Sequence, residues 1–298
     1  MAKLHLINVA DTNDADIGTG CAANAGKVKS LFSEIRAITG LAGRDLDISR
    51  PELSAADIDR TIDGLEVEPD ADVVVFYYSG HGHMLKDGLK NVSEFPGFDY
   101  PKAAPSGKPA TLDGVAARVQ NKRPKLALCI ADCCDNVTYS PPIRREAGPP
   151  VLEHDDPDAE DRRKSKIRAM FINSTGALVM ASASLHQEAM YYNDGGVFTK
   201  RLITIFNSPP EPDPAKGDLW HAAVARLKQT IPTTDNEQTA VCNDNIPCQI
   251  GSPADKPMAL SMVSLPDAPD MVAMDAAAPA APSLLSRLFH GWLSGAKG

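Results

Sequence analysis

Two short segments of the sequence carry side chains that together could perform thiol-based hydrolysis. Ser79-Gly80-His81-Gly82 supplies an imidazole between two glycines, and Asp132-Cys133-Cys134 supplies a thiol 53 residues after that histidine. A thiol is only slightly ionised near neutral pH, so it needs a neighbouring imidazole that takes its proton and later protonates the leaving amine. A lone cysteine after an apolar strand is more often a small core residue, and it is the pairing with His81 that favours a catalytic interpretation.

Each of the two segments follows a run of residues that is apolar on both faces. Residues 73–78 and 125–131 are rich in β-branched and other apolar side chains, which predicts two buried parallel strands. The carboxyl ends of neighbouring parallel strands meet at the same edge of a sheet, where functional loops lie. We therefore expect His81 and Cys134 to lie close together.

The rest of the pattern alternates between strands and helices. Residues 3–9 are predicted to form a strand, a helix is expected from Cys21 onward, and Ser54 is expected to cap the next helix. Further elements are predicted, in chain order, as a helix at 112–119, a strand at 176–181, and helices at 198–206 and 219–227. This alternation predicts a parallel sheet with helices on both faces.

The same motifs resemble those of the metacaspases and caspases. Ser79-Gly80-His81-Gly82 looks like their histidine motif, and Asp132-Cys133-Cys134 looks like the metacaspase Asp-x-Cys motif, with a separation close to the roughly 50 residues of caspases. Residues 20–24 (GCAAN) and 195–199 (GGVFT) are similar to two further metacaspase stretches. The resemblance covers residues 3–250 and implies a caspase-like three-layer α/β/α sandwich with a mostly parallel central sheet.

The resemblance implies a role for each matched residue of the catalytic centre. Cys134 would be the nucleophile, and His81 would be the general base and acid. The backbone amides of Gly82 and Cys134 would form the oxyanion hole. Cys133 takes the position of a small residue in the family, and residues 135–137 (DNV) replace the common His-Ser-Gly continuation.

The resemblance also implies a specificity pocket. Asp132, Ser79 and Cys21 match positions that line the first pocket of metacaspases, where acidic groups select Arg or Lys before the scissile bond. Asn24 stands where metacaspases commonly carry a second acidic pocket residue, so this pocket has one negative charge fewer. A pocket for aspartate would need an arginine, and the segments around Cys21 and Ser79 contain none. A polypeptide with a basic residue at the cleavage site is the expected substrate.

The motifs divide the chain into four parts. Residues 1–136 and 169–252 are interpreted as the large-subunit-like and small-subunit-like parts of a caspase domain, 137–168 as an exposed interdomain loop, and 253–298 as a linker ending in an amphipathic helix that docks on its own domain or on a partner. The candidate self-cleavage sites in the exposed loop are Arg145, Arg163 and Lys164, because a loop can enter an active site as an extended strand. The alternative is that these basic residues only balance their acidic neighbours.

Composition argues against several classes of protein. A formal net charge of −9 argues against a nucleic-acid partner, and no apolar run is long enough for a transmembrane segment. The start of the chain lacks a secretory core, so we expect a cytoplasmic protein whose six cysteines are reduced thiols without metal-ligand spacing. The chemistry requires no cofactor. The acidic run at 153–161 leaves calcium activation open, although such a run is usually a solvated loop.

Two other functions compete with a cysteine endopeptidase. A catalytically silent caspase homologue would bind partners through its loop or its C-terminal helix, but such a scaffold has no need for both His81 and Cys134. A different thiol hydrolase of the wider caspase-like clan would differ in the residue selected before the scissile bond.

Overall fold

The computed structural model describes residues 1–243, with gaps at 52, 84–85, 88–90, 93–94, 101–108, 135–157, 185–186, 193, 213–217 and 233–236. The chain divides into two compact units, Met1–Pro253 and Ala254–Gly298. The second unit lies outside the described residues, and so does the predicted C-terminal amphipathic helix. No helix in the described part is both long and apolar enough to cross a bilayer.

The described elements alternate along the chain. The helices are α1 (Gly18–Thr39), α2 (Ala55–Asp63), α3 (Leu112–Asn121), α4 (Ala159–Ile172), α5 (Val197–Asn207) and α6 (Leu219–Leu227). The strands are β1 (Lys3–Ala10), β2 (Ala42–Asp47), β3 (Val73–Ser79), β4 (Gly82–His83), β5 (Lys86–Asp87), β6 (Asn91–Val92), β7 (Gly97–Phe98), β8 (Leu126–Asp132), β9 (Gly176–Ala181), β10 (Tyr191–Tyr192), β11 (Gly195–Gly196), β12 (Ile231–Pro232), β13 (Glu237–Gln238) and β14 (Val241–Asn243).

A six-stranded sheet forms the centre of the described chain, in the order β14-β9-β8-β3-β1-β2. The pairs from β9 to β2 are parallel, and only β14 runs antiparallel to its neighbour β9. The central strands β3 and β8 stay in register from Val73 opposite Leu126 to Ser79 opposite Asp132. The two predicted buried strands therefore end side by side.

Different helices cover the two faces of the sheet, as the contacts of alternating β3 side chains show. Val75 and Tyr77 pack in the same cluster as α1, α4, α5 and α6, whereas Phe76 and Tyr78 pack with α2 and α3. All of β3 and β8 is buried. The result is the three-layer α/β/α sandwich with a mostly parallel sheet that the sequence predicted.

Most of the predicted elements are confirmed. The Ser54 cap is a full capping box, in which the Ser54 side chain accepts a hydrogen bond from Asp57 N and the Asp57 carboxylate accepts one from Ser54 N. Two edge strands, β2 and β14, were not predicted. β2 is the sequence AGRDLD, and its mostly exposed, polar residues lack the apolar alternation of a half-buried strand.

The predicted exposed loop at 137–168 is wrong from Ala159 onward, where the chain forms α4. The helix buries Ile167, Met170 and Phe171 against the core, and these apolar residues lie only in its second half. Its first turn carries Glu160 and Asp161, which are stabilised by the helix dipole. The charged residues in the first half of α4 are therefore helical and do not belong to a loop.

This helix also changes the interpretation of two candidate self-cleavage sites. The Arg163 side chain is 10% exposed, and its guanidinium donates to Phe206 O (3.1 Å) and to Glu34 Oε1 (2.7 Å). Lys164 pairs with Glu160 one turn earlier, at 3.3 Å. The prediction that both residues lie in an exposed loop is wrong, because both belong to α4. A helical segment cannot enter an active site as an extended strand. Arg145 lies outside the described residues.

A buried carboxylate fixes the end of the sheet opposite the candidate site. Asp72 is fully buried just before β3, and its Oδ1 accepts a hydrogen bond from Lys3 N (2.7 Å). Its Oδ2 lies 2.9 Å from Glu68 N and 3.1 Å from His5 Nε2. Burial tends to raise the pKa of Asp72, but the hydrogen bonds from Glu68, Lys3 and His5 outweigh it and hold the pKa below its usual value.

We expect Asp72→Ala to lower the free energy of unfolding by about 3 kcal/mol at pH 7, because buried donors lose their acceptor. The lowered pKa means that Asp72 stabilises the fold above about pH 4, and that this contribution is lost as the pH falls through the folded-state value. Urea unfolding of both proteins at pH 7 and pH 3 measures the difference, which should shrink at pH 3.

Asp63→Ala is the matched control. The Asp63 side chain is 57% exposed and pairs with Arg118 at the surface, so its removal should change stability by less than about 0.5 kcal/mol. Equal losses in the two variants would contradict a special role for Asp72.

Candidate active site

His81 stands two residues beyond the last paired position of β3. Its carbonyl oxygen accepts hydrogen bonds from Tyr78 Oη (2.6 Å) and Asp99 N (3.1 Å), so the backbone is fixed from two sides. The ring is 13% exposed, and its Nε2 lies 3.4 Å from Asp14 Oδ2. The next histidine, His83, faces a different carboxylate, with Nδ1 2.6 Å from Asp99 Oδ1.

Cys134 stands two residues beyond the last paired position of β8. Ser182 holds the residue before it, since Cys133 N donates to Ser182 Oγ (2.9 Å) and Ser182 Oγ donates to Cys133 O (2.8 Å). The Cys134 Sγ accepts a hydrogen bond from Ala189 N (3.3 Å). Among the cysteines of the described chain, only Cys134 is partly exposed.

The backbone of Gly82 brings the two loops into contact. A Cβ atom at this position would lie 2.6 Å from the carbonyl oxygen of Cys134 and 2.7 Å from the Sγ of Cys133. Any side chain here would push the loops apart, so glycine is required by the close approach. The oxyanion hole expected from the Gly82 and Cys134 amides stays a prediction.

The Asp132 carboxylate is buried between the candidate pocket residues. Its Oδ2 accepts hydrogen bonds from Thr199 Oγ1 (2.6 Å), Thr199 N (3.3 Å) and Asn24 Nδ2 (3.1 Å). Its Oδ1 has no hydrogen-bond partner within the described residues. One oxygen of the buried carboxylate is therefore saturated by neutral donors, and the other is not.

Asn24 links three parts of the pocket. Its Nδ2 donates to Ser79 Oγ (3.0 Å) as well as to Asp132, and its Oδ1 accepts from Gly196 N (2.8 Å). An aspartate at this position could not donate to Asp132 and would place a second negative charge beside it. Cys21, the fourth predicted pocket residue, lies in a small buried cluster that packs against Cys134.

Sequence reasoning missed two residues that complete the network. The Thr199 hydroxyl donates its proton to Asp132. Tyr77 Oη lies 2.6 Å from the same hydroxyl and is therefore the donor to it. Tyr191 donates a short hydrogen bond to the carbonyl oxygen of Asp132. Thr199 lies in the stretch 195–199 that resembles the family, so the sequence did indicate a role for it. No sequence pattern indicated a role for Tyr191.

The segment 189–196, of which residue 193 is outside the described chain, covers the pocket and is called the covering hairpin. It contains β10 and β11, which pair through Tyr191 opposite Gly196. A Cβ atom at Gly196 would lie 2.2 Å from Asp132 Oδ2, so the hairpin backbone lies directly on the carboxylate. At its other end, Ala189 N donates to the Cys134 sulfur. The thiol and the pocket are therefore closed by the same segment.

Burial dominates the electrostatics of this centre. It raises the pKa of Asp132 to about 6, although hydrogen bonds from Thr199 and Asn24, and the nearby Ser182 hydroxyl, oppose the shift. Burial also raises the pKa of Cys134 to about 11, and Glu188, Asp132 and Asp99 add to the shift while the N–H of Ala189 opposes it. The thiol is thus protonated in this closed arrangement.

The arrangement suits acyl transfer to a thiol, with a carboxylate that can select a cation. In the described part of the chain, no group of three or more His, Cys, Asp or Glu side chains could hold a metal ion. Residues 153–157 of the acidic run considered for calcium lie outside the described residues, and Glu160 and Asp161 belong to the first turn of α4.

The chain is similar to known proteins in sequence and in structure. A family model described as the caspase domain, Peptidase C14, matches residues 6–256. Among solved structures, the chain is similar to caspase-1 from Spodoptera frugiperda, with 13% identity, a TM-score of 0.48 and coverage of 81% of this chain and 85% of that one. It is also similar to protein GSU0716 from Geobacter sulfurreducens, with 15% identity, a TM-score of 0.45 and coverage of 81% and 92%. No curated protein matches the chain.

The raised pKa predicts slow alkylation of Cys134. Only the thiolate reacts, so at pH 7 iodoacetamide should label Cys134 about 100-fold more slowly than glutathione, with the rate still rising at pH 10. Mass spectrometry of the labelled peptide, with Cys134→Ser as the blank, measures the rate. Fast labelling at pH 7 that disappears in His81→Ala would instead indicate a thiolate–imidazolium pair and contradict the prediction.

The raised pKa of Asp132 predicts a variant that is more stable than the wild type. Because the pKa is higher in the folded state, ionisation of Asp132 lowers the free energy of unfolding. This loss grows as the pH rises from about 4 to about 6 and is complete above that. Asp132→Asn should therefore be more stable by about 1–3 kcal/mol at pH 7.5. The advantage should shrink towards pH 4.5. Urea unfolding at both pH values measures it.

Asp59→Asn controls for the loss of one negative charge, because this side chain is 46% exposed on α2. It should change stability by less than about 0.5 kcal/mol at either pH. A loss of stability in Asp132→Asn at both pH values would show that the ionised carboxylate is held favourably by its donors.

Proposed function

Since the chain belongs to the caspase domain family, we propose that it is a cysteine endopeptidase of the metacaspase type, which cleaves polypeptides after Arg or Lys. The observation that supports the proposal is the position of three residues at the neighbouring ends of β3 and β8. His81 and Cys134 follow the in-register strand ends, and the Asp132 carboxylate lies in the last pair.

The proposed reaction is acyl transfer through a thioester. His81 takes the thiol proton as the Cys134 sulfur attacks the carbonyl carbon, and the Gly82 and Cys134 amides stabilise the resulting oxyanion. The tetrahedral intermediate collapses to a thioester, and His81 gives the proton to the leaving amine. A water molecule, deprotonated by His81, then hydrolyses the thioester and frees the thiol.

The preference for a basic residue rests on Asp132. Its Oδ1 is buried and has no hydrogen-bond donor in the described chain, so a guanidinium or ammonium group would supply the missing donors. Asn24 and Thr199 leave the charge of the carboxylate uncompensated because both are neutral. A cation from substrate would also lower the pKa of Asp132 and keep it ionised.

The closed pocket implies that substrate binding requires a movement of the covering hairpin. Gly196 lies on the carboxylate, and Ala189 donates to the nucleophile, so both contacts must break before a substrate side chain enters. Opening would also hydrate the thiol and lower its pKa, because burial is the main cause of the raised value. Calcium is one candidate trigger for this opening.

Self-processing remains part of the proposal for one site. Arg163 and Lys164 belong to α4, whereas Arg145 precedes this helix in the chain and stays a predicted cleavage site. A partner for the C-terminal amphipathic helix also stays a prediction.

The test is hydrolysis of fluorogenic peptides that differ only before the scissile bond, carrying Arg, Lys, citrulline or Asp, with and without calcium. We expect cleavage after Arg and Lys, and a loss of about a thousandfold or more in Cys134→Ala and His81→Ala. Asp132→Asn should lose about 100-fold in kcat/KM for Arg while cleavage after citrulline, its neutral analogue, changes little.

The Arg preference in kcat/KM should also weaken as the pH falls below about 6, because kcat/KM reports the free enzyme, in which protonation removes the charge of Asp132. Cleavage after Asp, or equal losses for Arg and citrulline in Asp132→Asn, would rule out the proposed pocket. A folded protein that cleaves none of the peptides would favour the partner-binding scaffold.

A further inference from the structure

The connection between β1 and α1 is tied to the strand that carries His81. Asp11 N donates to Ser79 O (2.9 Å), the last residue of β3, and Thr12 N donates to Ala10 O (3.0 Å). At the far end of the connection, Gly18 N donates to Asp14 O (3.0 Å). The turn is therefore fixed at both ends relative to the sheet.

Within this turn, the Asp14 carboxylate is oriented by backbone. Its Oδ1 accepts hydrogen bonds from Asp16 N (2.8 Å) and Ile17 N (2.9 Å), which leaves Oδ2 directed at His81, 3.4 Å from Nε2. The Asp14 side chain is 22% exposed, so solvent screens the contact only in part. A separation of 3.4 Å is long for a hydrogen bond, and such contacts often shorten when substrate binds.

Asp14 is also the carboxylate that carries the charge beside the ring. Burial raises its pKa, but the N–H groups of Ile17 and Asp16 and the charge of His81 outweigh this and lower it. The neighbouring Asp11 has its pKa raised by burial and by Asp14. Asp99, the third acidic group near this loop, is bonded to His83.

We propose that Asp14 is a positioning residue that orients the His81 imidazole and holds its proton on Nε2, which leaves Nδ1 as the base for the Cys134 thiol. The inference rests on the proposed peptidase function, because it assigns the third member of that catalytic centre. Asp14 touches neither substrate nor nucleophile and acts through His81. When His81 becomes imidazolium during attack, the adjacent carboxylate stabilises the new positive charge.

The test uses Asp14→Asn in the full chain. Asparagine keeps Oδ1 for the two backbone N–H groups and turns an NH₂ group towards Nε2, which favours the wrong tautomer for proton transfer. With the citrulline peptide, whose cleavage does not depend on the charge of Asp132, we expect kcat to fall about tenfold or more with KM within about twofold, and the acidic limb of the kcat/KM profile to move to lower pH. A merely structural role would not move that limb.

Asp16→Asn is the matched control, since this exposed residue belongs to the same turn and its loss removes the same charge. It should keep kcat within about twofold of the wild type. Asp14→Ser, whose hydroxyl can still accept a turn hydrogen bond, serves as a second variant and should show the same loss of kcat. Unchanged kcat in a folded Asp14 variant would overturn the inference while leaving the peptidase proposal intact.

A readout that needs no catalysis separates the two proposals. In Cys134→Ala protein, the ring ¹⁵N shifts of His81 should report a proton on Nε2, and Asp14→Asn should move it to Nδ1. An unchanged tautomer would overturn the role of Asp14, whereas the expected change in a protein without peptidase activity would support it and reject the proposed function.

Discussion

The candidate site depends on the in-register pairing of two buried strands. β3 and β8 match residue for residue until Ser79 lies opposite Asp132, and His81 and Cys134 follow at the same distance beyond that pair. The apolar core on both faces fixes this register, because a slip of one residue would turn every buried side chain to the opposite face. The placement of His81 and Cys134 is therefore a property of the core as much as of the loops.

A second constraint is the burial of Asp132 without a cation. The chain tolerates the carboxylate by surrounding one oxygen with neutral donors from Asn24 and Thr199, while the other oxygen has no partner in the described residues. Such an arrangement is less stable than a neutral one, as expected of a residue that serves function at the expense of stability. The covering hairpin lies against both groups, with Gly196 on the carboxylate and Ala189 N bonded to the Cys134 sulfur.

Much of this could be predicted from the sequence, and the failures have physical causes. The buried strands, the Ser54 capping box and the positions of His81 and Cys134 after neighbouring strand ends follow from local patterns in the chain. The first half of α4 was not predicted because it is charged and the apolar residues of this helix lie only in its second half. β2 was not predicted because it is a polar edge strand. Asp14 and Tyr191 act across gaps of 67 and 59 residues, to His81 and Asp132, and no local pattern reports such contacts.

The segment 135–157 precedes α4 in the connection between β8 and β9, two strands that are already neighbours. β8 and β9 pair in parallel from Leu126 opposite Gly176 to Ala131 opposite Ala181, and α4, α5 and α6 share one core with β1 and β3. A chain cut between them would lose a covalent link but keep its backbone ladder and its core. The two fragments should therefore co-elute under native conditions, separate only in denaturant, and reassemble when they are synthesised as separate polypeptides.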